Sequence, residues 1–202
     1  MKMKRKLATR WRNADRAQRR MMIVDTAIDL LHRYGSEAVT MRRVAQRLGV
    51  GAMTLYTYVS GQDDLRRAMI GKGFEMLSAG CQQASTLDTP SAWQGGSRRY
   101  IQFAIENPNL YRLMFADPMS DSAEDRATLE HGIAPLREKI RSRLTSRGMT
   151  GRRLEHQATV AMGRFWIALH GLASLAIANR LSVIGRSVDQ LLEDLLARVA
   201  PD

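Results

Sequence analysis

The sequence is poor in cysteine and proline, and it has no long apolar run. Its single cysteine, Cys81, excludes an internal disulfide and any metal site built from several cysteines, and it indicates a reducing compartment. Its five prolines permit long helices. The longest apolar stretch, residues 165–178, is 14 residues long, whereas a membrane-spanning helix needs about 20. Since no apolar segment follows the basic start as in a secretory signal, the sequence predicts a soluble cytoplasmic protein.

Positive charge is concentrated at one end of the chain. The net charge is +11 at pH 7, and residues 1–20 alone hold nine Lys or Arg against one acid. A basic end on a body that is close to neutral is typical of a protein that binds a polyanion at one place. The polyanion could be nucleic acid or an anionic membrane surface. A solvated N-terminus without any partner is the alternative.

Apolar residues recur at helical spacing along the chain, and no segment shows the strict alternation of a strand. We therefore predict an all-α fold of about nine helices. Asp15 and Gln18 have the spacing of a capping box for the first long helix, and Thr40 is the N-cap candidate of the next. Ser60 is the cap candidate of a fourth helix. Pro135 lies inside a later helix, where it favours a kink or a break.

Residues 40–60 contain two short helical patterns joined by a glycine turn at residues 49–51. The first pattern, residues 41–48, includes the small Ala45, which permits a second helix to cross closely. The second pattern, residues 52–59, has one apolar face and one face of polar and aromatic groups. These features are typical of a helix-turn-helix. An ordinary helical hairpin has similar spacing, but the basic N-terminus favours the DNA-binding alternative.

Residues 19–69 resemble the DNA-binding domain of the TetR family of bacterial transcriptional regulators. The shared pattern starts with Tyr-Gly at residues 34–35 and continues with Thr-x-x-x-Val-Ala-x-x-Leu-Gly-Val from Thr40. It ends with Thr-Leu-Tyr-x-Tyr-Val from Thr54, followed by an acidic helix start. Gln62 stands where the family often has lysine, so the phosphate contact of that lysine is not expected here.

The resemblance implies a basic arm (residues 1–16), a helix-turn-helix domain (17–62) and a helical effector-binding and dimerisation domain (63–202). It also implies that the partner is a palindromic double-stranded operator, contacted by Thr40, Arg42, Arg43, Ala52, Met53, Thr54, Tyr56, Thr57 and Tyr58. Short polar, methyl-bearing and aromatic groups favour phosphates and thymine methyls over extensive bidentate readout of bases. Core packing is the alternative for Tyr58, and a solvated face is the alternative for Arg43.

Two later segments are similar to one branch of TetR-type C-terminal domains, residues 107–115 and the motif Trp-x-x-x-His-Gly-Leu from Trp166. In this family the C-terminal domain binds a small effector and dimerises through its last two helices. The candidate effector contacts are Tyr100, Phe103, Met114, Phe115, His131, Phe165, Trp166 and His170, with plain core packing as the alternative. The candidate dimer contacts are Leu172, Leu175, Leu191, Leu192, Leu195 and Val199, with a monomer's core as the alternative.

The sequence shows no nucleophile with a base, no carboxylate pair, no phosphate loop and no metal-ligand spacing. We therefore predict no enzyme activity, no cofactor and no metal. An RNA-binding protein that stacks bases on a sheet is disfavoured, because no sheet is predicted. The favoured function is a homodimeric DNA-binding repressor that a small, partly apolar effector releases. A TetR-type activator and a basic nucleic-acid or membrane-surface protein without an effector are the alternatives.

Overall fold

The computed structural model describes residues 9–84, 90–115 and 122–199, and within them the regular elements are all helical, as the sequence predicts. Residues 9–13 form a short helical segment, and 36–38 and 181–184 are 3-10 turns. The longer elements are α1 Arg16–Tyr34, α2 Met41–Leu48, α3 Ala52–Leu55, α4 Gln62–Gln83, α5 Pro90–Glu106, α6 Pro108–Phe115, α7 Ala123–Ser146, α8 Gly151–Ile177 and α9 Val188–Val199.

The chain divides into two compact units, and their boundaries differ from the sequence expectation. The described residues of Met1–Gly73 and Asn109–Thr128 make the first unit, and those of Phe74–Pro108 and Leu129–Asp202 make the second. The first unit therefore takes in the start of α4 and all of α6 except Pro108. A hydrogen bond from Asn109 Nδ2 to the Leu31 carbonyl (3.0 Å) is one of the contacts that bring α6 to α1. Sequence periodicity carries no information about such a contact between distant residues.

Helix caps in the first unit follow the sequence closely. Asp15 accepts a hydrogen bond from the Gln18 amide (2.8 Å), and the Gln18 side chain accepts one from the Asp15 amide (3.0 Å), which confirms the capping box. The Thr40 hydroxyl accepts from the Arg43 amide (3.2 Å) at the start of α2. Gly49 ends α2 in the left-handed conformation (φ 77°), which glycine adopts at little cost. Asp15, Thr40 and Gly49 thus fix where α1 and α2 begin and where α2 ends.

The turn after α3 corrects two sequence expectations. Regular α-helix covers Ala52–Leu55 and does not extend to residue 59. Tighter bonds continue the turn, from the Thr57 amide to the Thr54 carbonyl (3.3 Å) and from the Tyr58 amide to the Leu55 carbonyl (2.9 Å). Helix α4 begins at Gln62, so the position before its first residue is Gly61 and not the predicted cap, Ser60, whose amide donates to Asp64 Oδ2 (2.9 Å).

In the second unit, α5 packs against α8, and α9 packs against both. Trp93 of α5 meets Phe165 of α8 edge to face, with ring centroids 5.2 Å apart. Helix α7 continues across Pro135, so the predicted break is wrong, and its alternative, a kink, stays a prediction. α8 ends at Ile177, and Ser187 then caps α9 by accepting from the Gln190 amide (3.2 Å). The unit is thus built on the packing of long helices.

Candidate nucleic-acid interface

The recognition turn, residues 52–58, packs on a buried core. Leu55 is fully buried, as are Val44 and Leu48 of α2, and Ala45 lies at the crossing with almost no exposed surface. The Val50 amide donates to the Ala45 carbonyl (3.0 Å), which closes the glycine turn onto α2. Burial of these side chains fixes the short recognition turn, which is too short to be a stable helix in isolation.

Four predicted DNA contacts project from the recognition turn into solvent. Met53 is 79% exposed and Tyr56 is 48% exposed, and Thr54 and Thr57 are exposed as well. Ala52 is half-buried at the start of the turn. A large apolar side chain left this open does not contribute to the core of its own unit. The face therefore presents a thioether, two hydroxyl-methyl groups and a phenol to a partner.

Three further candidates lie at the N-terminal end of α2. The Thr40 hydroxyl serves as the helix cap, and the side chains of Arg42 and Arg43 are exposed. The Arg43 guanidinium carbon lies 5.4 Å from the centroid of the Tyr34 ring, so a cation–π contact orients it. A helix N-terminus flanked by two cations attracts phosphate, because its amide groups and its dipole both favour an anion.

Tyr58 is held inside the unit and is only half-exposed. Its ring meets Trp11 edge to face, with centroids 5.4 Å apart. Its hydroxyl oxygen accepts a hydrogen bond from Arg19 Nη1 (2.9 Å). These contacts agree with the core-packing alternative for Tyr58, and a DNA contact of its exposed part stays a prediction. The second tyrosine of the recognition turn, Tyr56, is 48% exposed, so its side chain is largely open to solvent.

Basic residues of α1 fix the end of the recognition turn, a role that the sequence analysis missed. Arg16 Nη2 donates to the Thr57 carbonyl (3.2 Å), and Arg20 Nη1 donates to the Tyr58 carbonyl. Arg20 also pairs with both carboxylate oxygens of Asp64 (2.7 and 3.1 Å). Part of the charge near the N-terminus is therefore structural. The sequence signal for this structural role was Asp64 in the first turn of α4, because a carboxylate at that position can pair with arginines of α1.

Asp64 gives the stability of the first unit a testable pH dependence. Bonds from Arg20 and from the Ser60 amide hold the pKa of the Asp64 carboxyl at about 2. The folded pKa lies below the unfolded value of about 3.9, so the stabilisation is present above pH 4 and is lost as the pH falls towards 2. We expect Asp64→Asn to lower the free energy of unfolding at pH 7 by roughly 1–2 kcal/mol.

Urea unfolding at pH 7 and across the acid range measures this effect. Asp63→Asn is the matched control, since Asp63 occupies the same helical turn but is exposed. Asp64→Asn should also flatten the pH dependence in the window below about pH 4, because the group that titrates there is gone. Equal losses in the two variants would contradict the assigned role of Asp64.

The candidate effector residues are divided between the two units. Met114 and Phe115 belong to the first unit, and the other six belong to the second. Within the second unit, Tyr100, Phe103 and Phe165 are buried. Trp166 and His170 are half-buried, and burial lowers the pKa of the His170 imidazole. His131 is exposed on α7, which does not suit a residue lining an enclosed site.

The candidate dimer residues are only partly available to a partner. Leu172 and Leu192 are buried within the chain, so they cannot supply much new surface. Leu191 and Leu195 are half-buried, Leu175 is 40% exposed, and the side chain of Val199 lies outside the described residues. Ile167 is the most exposed large apolar residue of α8, with 72% of its surface open to solvent. Ile167 was missed because the sequence pattern does not say which face of an apolar helix its own chain covers.

Helix α8 also has the length and apolar composition of a membrane-crossing helix, and most of its apolar window is not buried inside the chain. The sequence analysis counted an apolar run of 14 residues, which is shorter than a membrane span, whereas the helix extends over Gly151–Ile177. One such helix is weak evidence for a membrane span, since core and interface helices meet the same criterion. The exposed apolar face of α8 therefore indicates contact with a partner surface.

Comparison with known proteins points to one family. The family model described as bacterial regulatory proteins, tetR family, matches residues 23–69, and the model described as tetracyclin repressor-like, C-terminal domain, matches residues 93–199. The second match alone covers more than half of the chain. Together the two matches place the helix-turn-helix and the α5–α9 region in the same family.

Relatives and solved structures agree with these matches. An uncharacterised HTH-type transcriptional regulator of Mycobacterium tuberculosis is 29% identical over 90% of this chain and 79% of its own length. The HTH-type transcriptional repressor KstR of Mycolicibacterium smegmatis is 30% identical over 54% of this chain and 50% of its own length. The crystal structure of RolR with its ligand resorcinol has a TM-score of 0.62 at 19% identity, over 91% of this chain and 88% of that one, which shows a shared fold.

Proposed function

The chain belongs to the TetR family of DNA-binding transcriptional regulators, and on this premise we propose that it is a cytoplasmic repressor that binds a palindromic operator as a homodimer. A small, partly apolar molecule bound in the second unit would release it. The observation that carries the proposal is the recognition turn, where exposed Met53, Thr54, Tyr56 and Thr57 surround a fully buried Leu55. Repression is supported by the likeness to KstR, which is named a repressor.

The interface we propose combines bases and phosphates. Met53 and Thr54 face bases at the start of the recognition turn, where apolar and methyl groups suit thymine methyls. The α2 N-terminus and Arg42 bind phosphate, since exposed amides and a cation converge there. Arg43 and Tyr56 add backbone contacts at the edges of this surface. Tyr58 supports the recognition turn by packing within the unit, because its hydroxyl and its ring already have protein partners.

The homodimer is supported by the exposed apolar face of α8. Ile167 and Leu175 lie two turns apart on that helix, and Gly171 between them has open space around the position of a side chain. A second copy of the same face covers it through a two-fold axis, as in most soluble dimers. Family members bind DNA as dimers, and a two-fold protein matches a palindromic site. Leu191 and Leu195 of α9 contribute their half-buried side chains.

The effector site we propose lies in the second unit. Tyr100, Phe103 and Phe165 supply apolar surface there, and the half-buried Trp166 and His170, on the same helix as Phe165, supply polar atoms. An apolar lining with few polar groups suits a small ligand of mixed character. The RolR structure, whose ligand is the phenol resorcinol, supports this chemistry by analogy of fold. His131 is left out of the lining because it is exposed.

Selection from a random 30-base-pair duplex pool tests the function. We expect the wild-type chain to enrich a two-fold-symmetric sequence, and Thr54→Ala to weaken binding to it by about 1–2 kcal/mol, with little loss on a scrambled duplex. Gln46→Ala is the matched control, because Gln46 is exposed on α2 and outside the proposed contacts. A transcription assay with the selected site in the promoter separates repression from activation. Failure to enrich any duplex, with binding to anionic vesicles instead, would contradict the proposal.

A further inference from the structure

The N-terminal segment at residues 9–13 is fastened to the recognition turn by three side chains, which we call the arm clasp: Trp11, Arg19 and Tyr58. Trp11 is only 6% exposed although it lies in the most basic part of the sequence. Its ring meets Tyr58 edge to face (5.4 Å, 83°), and the Arg19 guanidinium carbon lies 5.7 Å from its ring centroid. An aromatic side chain buried this well fixes the segment that carries it.

The Arg19 guanidinium completes the clasp by using each of its nitrogens. Nε donates to the Trp11 carbonyl (3.1 Å), Nη2 donates to the Arg12 carbonyl (3.3 Å), and Nη1 donates to the Tyr58 hydroxyl (2.9 Å). One planar group thus joins two carbonyls of the 9–13 segment to the recognition turn. Lysine could not reproduce this geometry, because an ammonium lacks the rigid fork of donors.

The clasp has a consequence for the cations on either side of Trp11. Arg10 and Arg12 are exposed, and the clasp fixes the backbone that carries them next to the end of the recognition turn. A cation on a free tail must lose conformational freedom when it binds a particular phosphate, whereas a cation on a fixed backbone has lost much of that freedom already. Fixed cations therefore add more to a complex of defined register than to loose binding.

We propose that Trp11 and Arg19 are positioning residues for operator binding. They hold Arg10 and Arg12 beside the recognition turn, so that these cations bind phosphates flanking the bases that the turn reads. The proposal rests on the DNA-binding function proposed above. It makes this part of the arm a contributor to specificity, and it separates Arg19, which is bound to protein acceptors, from the arginines that meet DNA.

The test uses the full chain, the selected duplex and a scrambled duplex of equal length. Trp11→Ala and Arg19→Gln should each raise the Kd for the selected duplex about tenfold and the Kd for the scrambled duplex less than about twofold. Trp11→Phe, which keeps an aromatic ring against Tyr58, should restore most of the affinity. Arg12→Gln removes one of the positioned cations and keeps the clasp, so it should raise the Kd for the selected duplex by more than the Kd for the scrambled duplex.

A double-mutant cycle gives the decisive measurement. Changing Arg10 and Arg12 to glutamine together should weaken selected-duplex binding several-fold more in the wild-type background than in the Trp11→Ala background. Thermal unfolding identifies any variant that fails to fold, and Arg19→Gln then replaces Trp11→Ala as the background. Equal losses in both backgrounds would overturn the positioning role while leaving the DNA-binding function intact. Absence of any selected duplex would overturn both.

Discussion

Gly132→Ala is expected to lower the free energy of unfolding by about 1–3 kcal/mol, mainly through overpacking. A Cβ atom at residue 132 of α7 would lie 2.4–2.7 Å from three atoms of the Phe74 ring. Phe74 is 5% exposed, so its rigid ring has little room to move aside. The better helix propensity of alanine recovers at most about 1 kcal/mol of that cost. Thermal unfolding of the purified variant measures the result as a drop of several degrees.

Two glycines of α4 provide graded controls for this prediction. At Gly71 an added Cβ meets nothing within 4 Å, so Gly71→Ala should raise stability by about 0.5–1 kcal/mol. At Gly73 the added atom lies 2.5 Å from Met114 Sδ, the sulfur of a flexible side chain that can yield in part. The expected order of stability is therefore Gly71→Ala, wild type, Gly73→Ala, Gly132→Ala. A Gly132→Ala variant as stable as wild type would refute the close contact with Phe74.

Local signals in the sequence were sufficient for most of the secondary structure. The capping box at Asp15, the Thr40 cap and the glycine that ends α2 all lie within four residues of the bonds they make. The helix-turn-helix follows from the same kind of information, because its core is formed by neighbouring short helices around Ala45 and Leu55. The exposed set on the recognition turn also follows, since burying one face of a short helix leaves the opposite face open.

Contacts between distant residues account for what the sequence analysis missed. The bond from Asn109 to Leu31 joins α6 to α1 across 78 positions, and both residues lie in the first unit. The clasp joins residues about 40 positions apart, so the charge pattern counted Arg19 as a free cation. Burial of Leu172 depends on which face of α8 its own chain covers, and helical periodicity does not specify this for a helix that is apolar on most sides.

Ile167→Asp is expected to separate the homodimer while each chain stays folded. Ile167 is 72% exposed in the single chain, so a carboxylate there costs the isolated fold little. In a two-fold interface the same change buries two unpaired charges near each other, which strongly opposes association. Light scattering should give the chain mass of 22.7 kDa for the variant and twice that mass for wild type. Affinity for the palindromic duplex should fall at least about a hundredfold, because the two half-sites are no longer linked.

Two further variants show whether the effect belongs to this face of α8. Ile105→Asp places the same charge at an isoleucine of α5 that is 48% exposed, and it should leave the dimer intact. Leu172→Asp should unfold the chain instead of splitting the dimer, because Leu172 lies in the core of the second unit. An Ile167→Asp protein that remains dimeric would place the interface elsewhere, and a wild-type mass of 22.7 kDa would overturn the homodimer itself. The exposed apolar face of α8 would then need a different partner.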